Sequence, residues 1–297
     1  MDIEQILDDK YTKGYADLHL HTVYSDGEYT PESIVRRAVS ENLRAIAVTD
    51  HDTVEGVGPV MQSAKENLEI IPGIEMSAEV ISQNQSHGKE NNMSEELHIV
   101  GLFIDYKQPN FLKILKGLSL ERKDRVNDML KKLKQMGMPI TMQEIEKFKK
   151  KDVIGRLHLA QAMVEKGYVK NTNEAFDKFI GDDKPAYANR NRFSSKKAIS
   201  LIKESGGIPI IAHPHLLKND NVIPQLVEEG IEGIEVYFVG HGINPSSKYL
   251  EMVKKYNLLI SGGSDCHGIA KEKIFLGKVK VPYQAVEEMK RWKEKMR

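Results

Sequence analysis

The chain has 297 residues with 43 basic and 43 acidic side chains, and this formal charge of zero excludes an overall field that would hold duplex DNA. Cys266 is the only cysteine, which excludes an intrachain disulfide and is compatible with a reducing compartment. No run approaches the roughly 18 apolar residues of a membrane span, and residues 1–10 are acidic and mixed, so we expect a soluble cytoplasmic protein without membrane contact.

The first strand-like run, residues 15–18, leads into two histidines. The period-two spacing of an extended segment puts the imidazoles of His19 and His21 on one face, where two ligands can hold one ion. A turn that contains Asp26 follows. Residues 30–41 then carry the cap, the early proline and the amphipathic pattern of a helix.

The second run, residues 45–49, indicates a buried parallel strand that delivers Asp50 and His51 at its carboxyl end. Active sites of barrels lie at that end of the strands. Asp50 either accepts a hydrogen bond from a ligand imidazole and orients it, or is a turn-forming acid. A helix is expected over residues 57–66.

The third run, residues 69–74, carries Glu75, and a further apolar run over residues 97–104 opens with His98. The segment between them, residues 82–95, is polar and without periodicity, so we predict an exposed, mobile loop. This loop contains His87, which could compete with His98 as a ligand.

From about residue 110 to residue 205 the pattern is helical, and an alternating pattern then resumes. Helices are predicted over residues 111–136, 142–149, 156–166, 172–180 and 194–205. Strands are predicted over residues 208–211, 233–236 and 258–260, with helices from residue 223 and over 246–256. We therefore divide the chain into a first barrel part (1–109), a helical insertion or cap (110–205) and a second barrel part (206–297).

Nine side chains, mostly at the ends of these runs, are candidate metal ligands. They are His19, His21, Asp26, His51, Glu75, His98, His213, Asp265 and His267. Imidazole and carboxylate without thiolate suit zinc, manganese or iron, so the pattern predicts a multinuclear metallohydrolase. Gly262 and Gly263 are expected to let the chain turn tightly beneath the ions.

The motifs around these ligands resemble the polymerase and histidinol phosphatase (PHP) superfamily. They are Asp17-Leu18-His19-Leu20-His21, Ser25-Asp26-Gly27, Thr49-Asp50-His51-Asp52, Pro72-Gly73-Ile74-Glu75, Ala212-His213-Pro214 and Gly263-Ser264-Asp265-Cys266-His267. Residues 98–105 and 155–158 look like the branch that contains nucleoside 3′,5′-bisphosphate phosphatases, some of which also trim the 5′ ends of RNA. The long loop before His98 is a departure from the family pattern.

The resemblance implies an α/β fold, a distorted (β/α)7 TIM-like barrel with an inserted helical cap. It also implies a trinuclear metal centre, in which two to three of the positions hold divalent ions (Mn, Fe or Zn, with Mg also compatible). It implies three ligand sets: His19, His21, Glu75 and Asp265; Glu75, His98 and His213; and Asp26, His51 and His267. Glu75 would bridge the first two ions. A metal-bound hydroxide held by Glu75 and Asp265 would then attack a phosphomonoester in line.

The resemblance also implies a small phosphorylated substrate, preferably a nucleoside 3′,5′-bisphosphate. Arg156 is our candidate for the phosphate contact because its planar fork matches phosphate oxygens, although it could instead pair with a neighbouring acid. His158 and His241 are weaker candidates for contacting the phosphate or protonating the leaving oxygen.

Three alternatives stay open at this point. One is a 5′-3′ exonuclease on short single-stranded RNA, which would use the same ions in an open groove. Another is a histidinol-phosphate phosphatase. The third is a barrel retained as a non-enzymatic binding module, which predicts decayed ligands, whereas every expected ligand position here is filled.

Overall fold

A computed structural model gives the fold of residues 3, 6, 13–84, 91–148, 154–188, 193–240, 244–268 and 276–296. Within these ranges the chain forms a mixed sheet that curls into a nearly closed barrel with helices around it. The strands are β1 (Tyr15–Leu20), β2 (Leu43–Val48), β3 (Glu69–Asn84), β4 (Asn91–Leu102), β5 (Ile208–Ile211), β6 (Gly233–Tyr237), β7 (Leu259–Gly262) and β8 (Val281–Pro282).

The strand order is β7-β6-β5-β4-β3-β2-β1-β8. Neighbours pair in parallel except at β4, which runs antiparallel to both β3 and β5, and at β8, which runs antiparallel to β1. The open edge is nearly closed where the end of β1 meets the segment after β7, since Leu20 forms a parallel bridge to Cys266. The predicted distorted TIM-like α/β barrel is therefore confirmed.

The β3–β4 hairpin differs most from expectation. Residues 82–84 and 91–95 were expected in a mobile loop, but they belong to strands, and twelve residue pairs run from Gly73 opposite Leu102 to Asn84 opposite Asn91. The expectation was wrong because pairing between the two strands, which no local pattern records, continues through polar residues. Residues 85–90, including His87, lie outside the described residues.

Ten α-helices surround the described part of the sheet. They are α1 (Pro31–Ser40), α2 (Val57–Gln62), α3 (Pro109–Gln135), α4 (Met142–Glu146), α5 (Arg156–Glu165), α6 (Thr172–Ala175), α7 (Ser195–Glu204), α8 (Ile223–Glu228), α9 (Ser247–Tyr256) and α10 (Tyr283–Met296). A π-helical turn, Phe176–Ile180, continues α6. Among the helices searched, none is long and apolar enough to cross a membrane.

Two apolar cores form in the described residues. The larger one fills the barrel and the space beneath its helices. The smaller one packs the second half of α3 against α4, α5 and α6. Helix α3 contributes to both, with Phe111 and Leu115 in the larger core and Met129 and Leu133 in the smaller. Since α7 also packs in the larger core, the division at residues 109 and 205 stays a prediction.

Gly263 illustrates how tightly the strand ends meet. A Cβ at this position would lie 2.5 Å from both the backbone nitrogen and the Cβ of His19. Its φ is outside the left-handed region, so the residue must be small because space is lacking, and not because other residues would avoid its φ.

We expect Gly263→Ala to lower the free energy of unfolding by about 1–3 kcal/mol, the usual cost of overpacking. Gly117, inside α3, is the matched control because nothing lies within 4 Å of a Cβ built there. Gly117→Ala should raise stability by about 0.5–1 kcal/mol through helix propensity. Urea unfolding measures both changes, and equal effects of the two substitutions would contradict the close approach at Gly263.

Candidate metal centre

The ligand candidates converge because the parallel strands end at the same face of the barrel. His19 lies in β1, His51 follows β2, His213 follows β5 and Asp265 follows β7. Each strand is buried and apolar, so the polar residues at its carboxyl end reach the barrel mouth together.

His98 reaches this face by a different route. It lies inside the antiparallel strand β4 and pairs with Ser77, two residues beyond Glu75 on β3. Paired residues of antiparallel strands point to the same face, so the hairpin carries Glu75 and His98 side by side. The sequence had placed His98 at the start of a strand, whereas it is the eighth residue of β4.

Glu75 is at the centre of the cluster and is fully buried. Its Oε1 lies 2.8 Å from His98 Nδ1 and 2.9 Å from His213 Nε2. Its Oε2 is close to three further imidazole nitrogens: 3.2 Å from His19 Nε2, 3.1 Å from His21 Nε2 and 3.0 Å from His51 Nδ1. One carboxylate therefore contacts five imidazoles.

The first ligand set fits a bound cation. His19, His21, Glu75 and Asp265 each offer one atom, and the carboxylate oxygens lie 3.1–3.5 Å from the imidazole Nε2 atoms. Four N or O ligands about 2.1 Å from a tetrahedral ion would stand roughly 3.4 Å apart. The donor types and spacing are thus those of a divalent metal site.

Two further groups surround the first. His51, Glu75 and His98 form one group, and His213 Nε2 stands 3.2 Å from His98 Nδ1 beside it. The other group contains His21, Asp26, His51 and His267, with His267 Nε2 3.2 Å from Asp26 Oδ1. The structure brings all nine candidates together, and it adds His21 to the group expected to contain Asp26, His51 and His267.

Several of these atoms are buried without a hydrogen-bond partner in the described residues. They are His19 Nε2, both ring nitrogens of His21, His51 Nδ1 and Glu75 Oε2. Burying unsatisfied polar atoms costs free energy, so a cluster of them directed at one another points to a cation that would satisfy them.

The pKa values reflect this crowding. Burial alone would disfavour the ionised form of Glu75, but the surrounding imidazoles hold its pKa well below the usual value. Burial likewise opposes a charged His21, yet contacts with Asp265 and Glu75 raise its pKa to about 9. Burial dominates at His51 and keeps its pKa well below the usual range. The carboxylates therefore favour the charged form of His21, whereas burial favours the neutral form of His51.

Two buried carboxylates hold the loops that carry ligands. Asp50 accepts hydrogen bonds from the backbone N–H and hydroxyl of Thr22 and from the Ser25 hydroxyl, at 2.6–2.7 Å. Of the two roles left open for Asp50, these contacts favour the turn-forming one, since it fixes the segment before Asp26. Asp17 accepts from the Ser264 N–H at 2.8 Å, next to Asp265, and burial raises the pKa of Asp17 to about 6.

The sequence analysis missed Glu235. This residue of β6 is 1 % exposed, and its carboxylate contacts His19 and His213. An acid within the apolar run Gly233–Tyr237 was the available signal.

Three of the eight non-glycine residues with positive φ in the described part of the chain lie at this site. Asp52, His213 and Asp265 have φ values of 49°, 28° and 51°, in the region that side chains usually avoid. Such conformations persist where the surrounding structure enforces them, often at functional sites. All three residues are candidate ligands or neighbours of one.

Arg156 lies at the start of α5 and binds two acids. Its guanidinium stands 2.7 Å from Asp182 and 3.4 Å from Glu96. Glu96 is two residues from His98 on β4, so both point to the same face of the hairpin, about 7 Å apart along the strand. The sequence left open whether this arginine pairs with acids or serves a substrate, and the structure shows that the acids are present.

His158 is buried, and its Nδ1 accepts a hydrogen bond from the Gly155 N–H at 3.1 Å. Sequence reasoning missed Arg122 of α3, which bridges Asp52 and Ser77 at 2.6 and 2.9 Å; no pattern separates it from other helix charges. His241, the third candidate for phosphate contact, lies outside the described residues.

The chain is similar to proteins of one family. Residues 17–116 match the family model described as PHP domain. A 5′-3′ exoribonuclease of Haemophilus influenzae is 30 % identical over 86 % of this chain and 90 % of that protein. A 3′,5′-nucleoside bisphosphate phosphatase of Chromobacterium violaceum is 29 % identical over 84 % of this chain and 86 % of that protein.

A solved structure has the same fold. A protein of Bifidobacterium adolescentis, assigned to the metal-dependent phosphoesterases, superposes with a TM-score of 0.79 at 27 % identity. The match covers 92 % of this chain and 94 % of the other.

Proposed function

This chain belongs to the PHP family and is a metal-dependent phosphoesterase, and we propose that it hydrolyses one phosphate ester of a nucleoside 3′,5′-bisphosphate. The name of the Chromobacterium violaceum relative supports this substrate class. The observation that carries the proposal is the guanidinium of Arg156, which Glu96 holds two residues along β4 from the candidate ligand His98.

The nine candidate ligands are proposed to hold two to three divalent ions, of manganese, iron or zinc. Bound ions would neutralise the phosphate charge and lower the pKa of a water molecule, so that in-line attack proceeds without a covalent enzyme intermediate. The chain's part is to hold the ligands in place before substrate arrives. Glu75 and Asp265 would orient the nucleophile, since both belong to the first ligand set.

Arg156 is proposed to bind the phosphate that does not react. Two carboxylates fix its guanidinium, and their contacts use two of its five N–H donors. Because its partner Glu96 lies about 7 Å from His98 along β4, Arg156 is proposed to reach a second anionic group on a substrate whose first phosphate lies at the ligands. A bisphosphate has that second group, and histidinol phosphate lacks it.

His158 is proposed to serve the leaving oxygen. Because its Nδ1 accepts a hydrogen bond from Gly155, the neutral ring carries its proton on Nε2. This is the tautomer that donates to an ester oxygen.

Phosphate release from metal-loaded protein tests the proposal. A nucleoside 3′,5′-bisphosphate, a nucleoside 5′-monophosphate, histidinol phosphate and short 5′-phosphorylated RNA are compared at equal concentration. We expect the highest kcat/KM for the bisphosphate. Equal rates on all four would reject the substrate assignment, and a preference for RNA would favour the activity named for the Haemophilus influenzae relative.

Arg156→Ala should raise KM for the bisphosphate by about 10- to 100-fold, the value of one or two hydrogen bonds to a charged group, with a smaller change in kcat. For the monophosphate, which lacks the second phosphate, KM should rise far less. Arg44→Ala is the control, because Arg44 lies near the amino-terminal end of β2, away from the ligands. An equal loss on both substrates would contradict the proposed contact.

A further inference from the structure

Glu235 occupies an unusual place for an acid. It is the third residue of β6, between the fully buried Ile234 and Val236, and is itself 1 % exposed. A carboxylate in such surroundings is costly unless each oxygen is hydrogen-bonded.

Each oxygen of Glu235 has its own partner. Oε1 lies 2.8 Å from Nδ1 of His19, in β1, and Oε2 accepts a hydrogen bond of 2.6 Å from the backbone N–H of His213, which follows β5. One side chain of β6 therefore connects two other segments, and both of those segments carry a candidate ligand.

The contact with His19 selects the nitrogen that faces the cluster. An ionised carboxylate can only accept, so Nδ1 of His19 must carry a proton. In the neutral ring, which is the form that binds a metal, the lone pair is then on Nε2, which lies 3.2 Å from Glu75 and 3.5 Å from Asp265. A carboxylate behind a histidine commonly fixes the tautomer and ring orientation of a metal ligand.

The contact with His213 holds a strained backbone. His213 has a φ of 28°, which a residue with a side chain rarely adopts. The hydrogen bond from its N–H to Glu235 fixes this conformation, and His213 Nε2 thereby reaches Oε1 of Glu75 at 2.9 Å.

We propose that Glu235 is a positioning residue that sets the metal affinity of the centre by fixing the ligating nitrogen of His19 and the backbone of His213. It does so without contacting an ion or the substrate. The inference rests on the metal centre proposed above and is independent of which phosphate ester is hydrolysed.

Glu235→Gln tests this role with little change in shape. The amide must turn its NH2 group either to His19 Nδ1 or to the His213 N–H. In the first case the imidazole proton moves to the ligating Nε2, and in the second two donors face each other. We expect Mn²⁺ affinity to fall by about 10- to 100-fold, measured calorimetrically on chelator-treated protein.

Asp17→Asn is the matched control. Asp17 is equally buried and accepts from the N–H groups of Ser264 and Gly277 at 2.8 and 3.3 Å, so its amide also loses one acceptor for a backbone donor. Because Asp17 also holds a segment that carries a candidate ligand, Asp17→Asn reports what the same change costs where no imidazole tautomer is altered. Glu235→Gln should lower Mn²⁺ affinity more than Asp17→Asn at a similar loss in thermal stability of the metal-free protein.

A double-mutant cycle separates positioning from general damage. In a His19→Ala background, Glu235→Gln should cost much less Mn²⁺ affinity than in the wild type. Equal losses in both backgrounds, or wild-type affinity in Glu235→Gln, would overturn the inference. If Glu235→Gln does not fold, Glu235→Asp is measured instead, because its side chain is too short to keep both contacts. Wild-type Mn²⁺ affinity in Glu235→Asp would also overturn the inference. If the wild-type protein binds no Mn²⁺, the proposal of a metal centre is itself wrong.

Discussion

Glu75→Gln is expected to lower kcat/KM by at least about 10³-fold, which corresponds to roughly 4 kcal/mol of transition-state stabilisation. The substitution keeps the shape of the side chain but removes the only charge that contacts five imidazoles. It also turns an NH2 group toward nitrogens that would bind ions. Phosphate release and metal content, measured on the same sample, check the result.

Glu69→Gln is the control for this experiment. Glu69 begins the same strand, β3, and binds Tyr283 and Lys290 at 2.6 and 2.7 Å, on the side of the barrel opposite the ligands. The same chemical change there should leave turnover unchanged. If Glu75→Gln keeps both its metal content and its turnover, the central position of this carboxylate has no role in catalysis.

Removal of divalent ions by a chelator should abolish turnover, and the affinity with which the ions bind again should depend steeply on pH. Without ions, contacts with carboxylates raise the pKa of His19 well above its usual value and that of His21 to about 9, although burial opposes both shifts. His21 thus carries a proton at pH 7, the raised pKa of His19 also favours its charged form, and ligation must displace these protons. Below the raised pKa values, affinity increases with pH by about tenfold per unit for each proton displaced.

Calorimetry in two buffers of different ionisation enthalpy counts the protons released when Mn²⁺ binds. Affinity at pH 8 should exceed that at pH 6 by about 100-fold through displacement of the His21 proton, because the pKa of His21, about 9, lies above both pH values. His215→Ala is the control, because this exposed imidazole stacks on Phe238 at 4.2 Å and belongs to none of the ligand groups. Binding without proton release and with equal affinity at both pH values would show that His19 and His21 are not ligands.

Much of the barrel could be predicted locally. The runs that became β1, β2, β5, β6 and β7 are short and mostly apolar, and all except β6 lead into polar residues, which is the pattern of strands buried on both faces. The β3–β4 hairpin could not be predicted to its full length. Its outer residues are polar, and they form strands only because β3 and β4 pair with each other. Glu75 and His98, one on each of these strands, are 23 residues apart in the sequence.

The same contrast holds at the candidate site. The types and order of the nine ligand candidates could be predicted, because imidazoles and carboxylates at the ends of apolar runs have few structural reasons to recur. The residues that contact these candidates could not be predicted. Glu235 and Arg122 lie far along the chain from the groups they contact, and neither belongs to a ligand motif.

The sequence by itself determined the donor chemistry, the strand ends that carry it and hence the family, since these depend on residue type and short-range period. Only the tertiary structure decided that Glu75 is the common centre, that His98 arrives from an antiparallel strand, and that Glu235 connects two ligands. The physical reason is that distances between atoms on different strands are set by sheet pairing and closure, which bring together residues as far apart as His19 and Asp265.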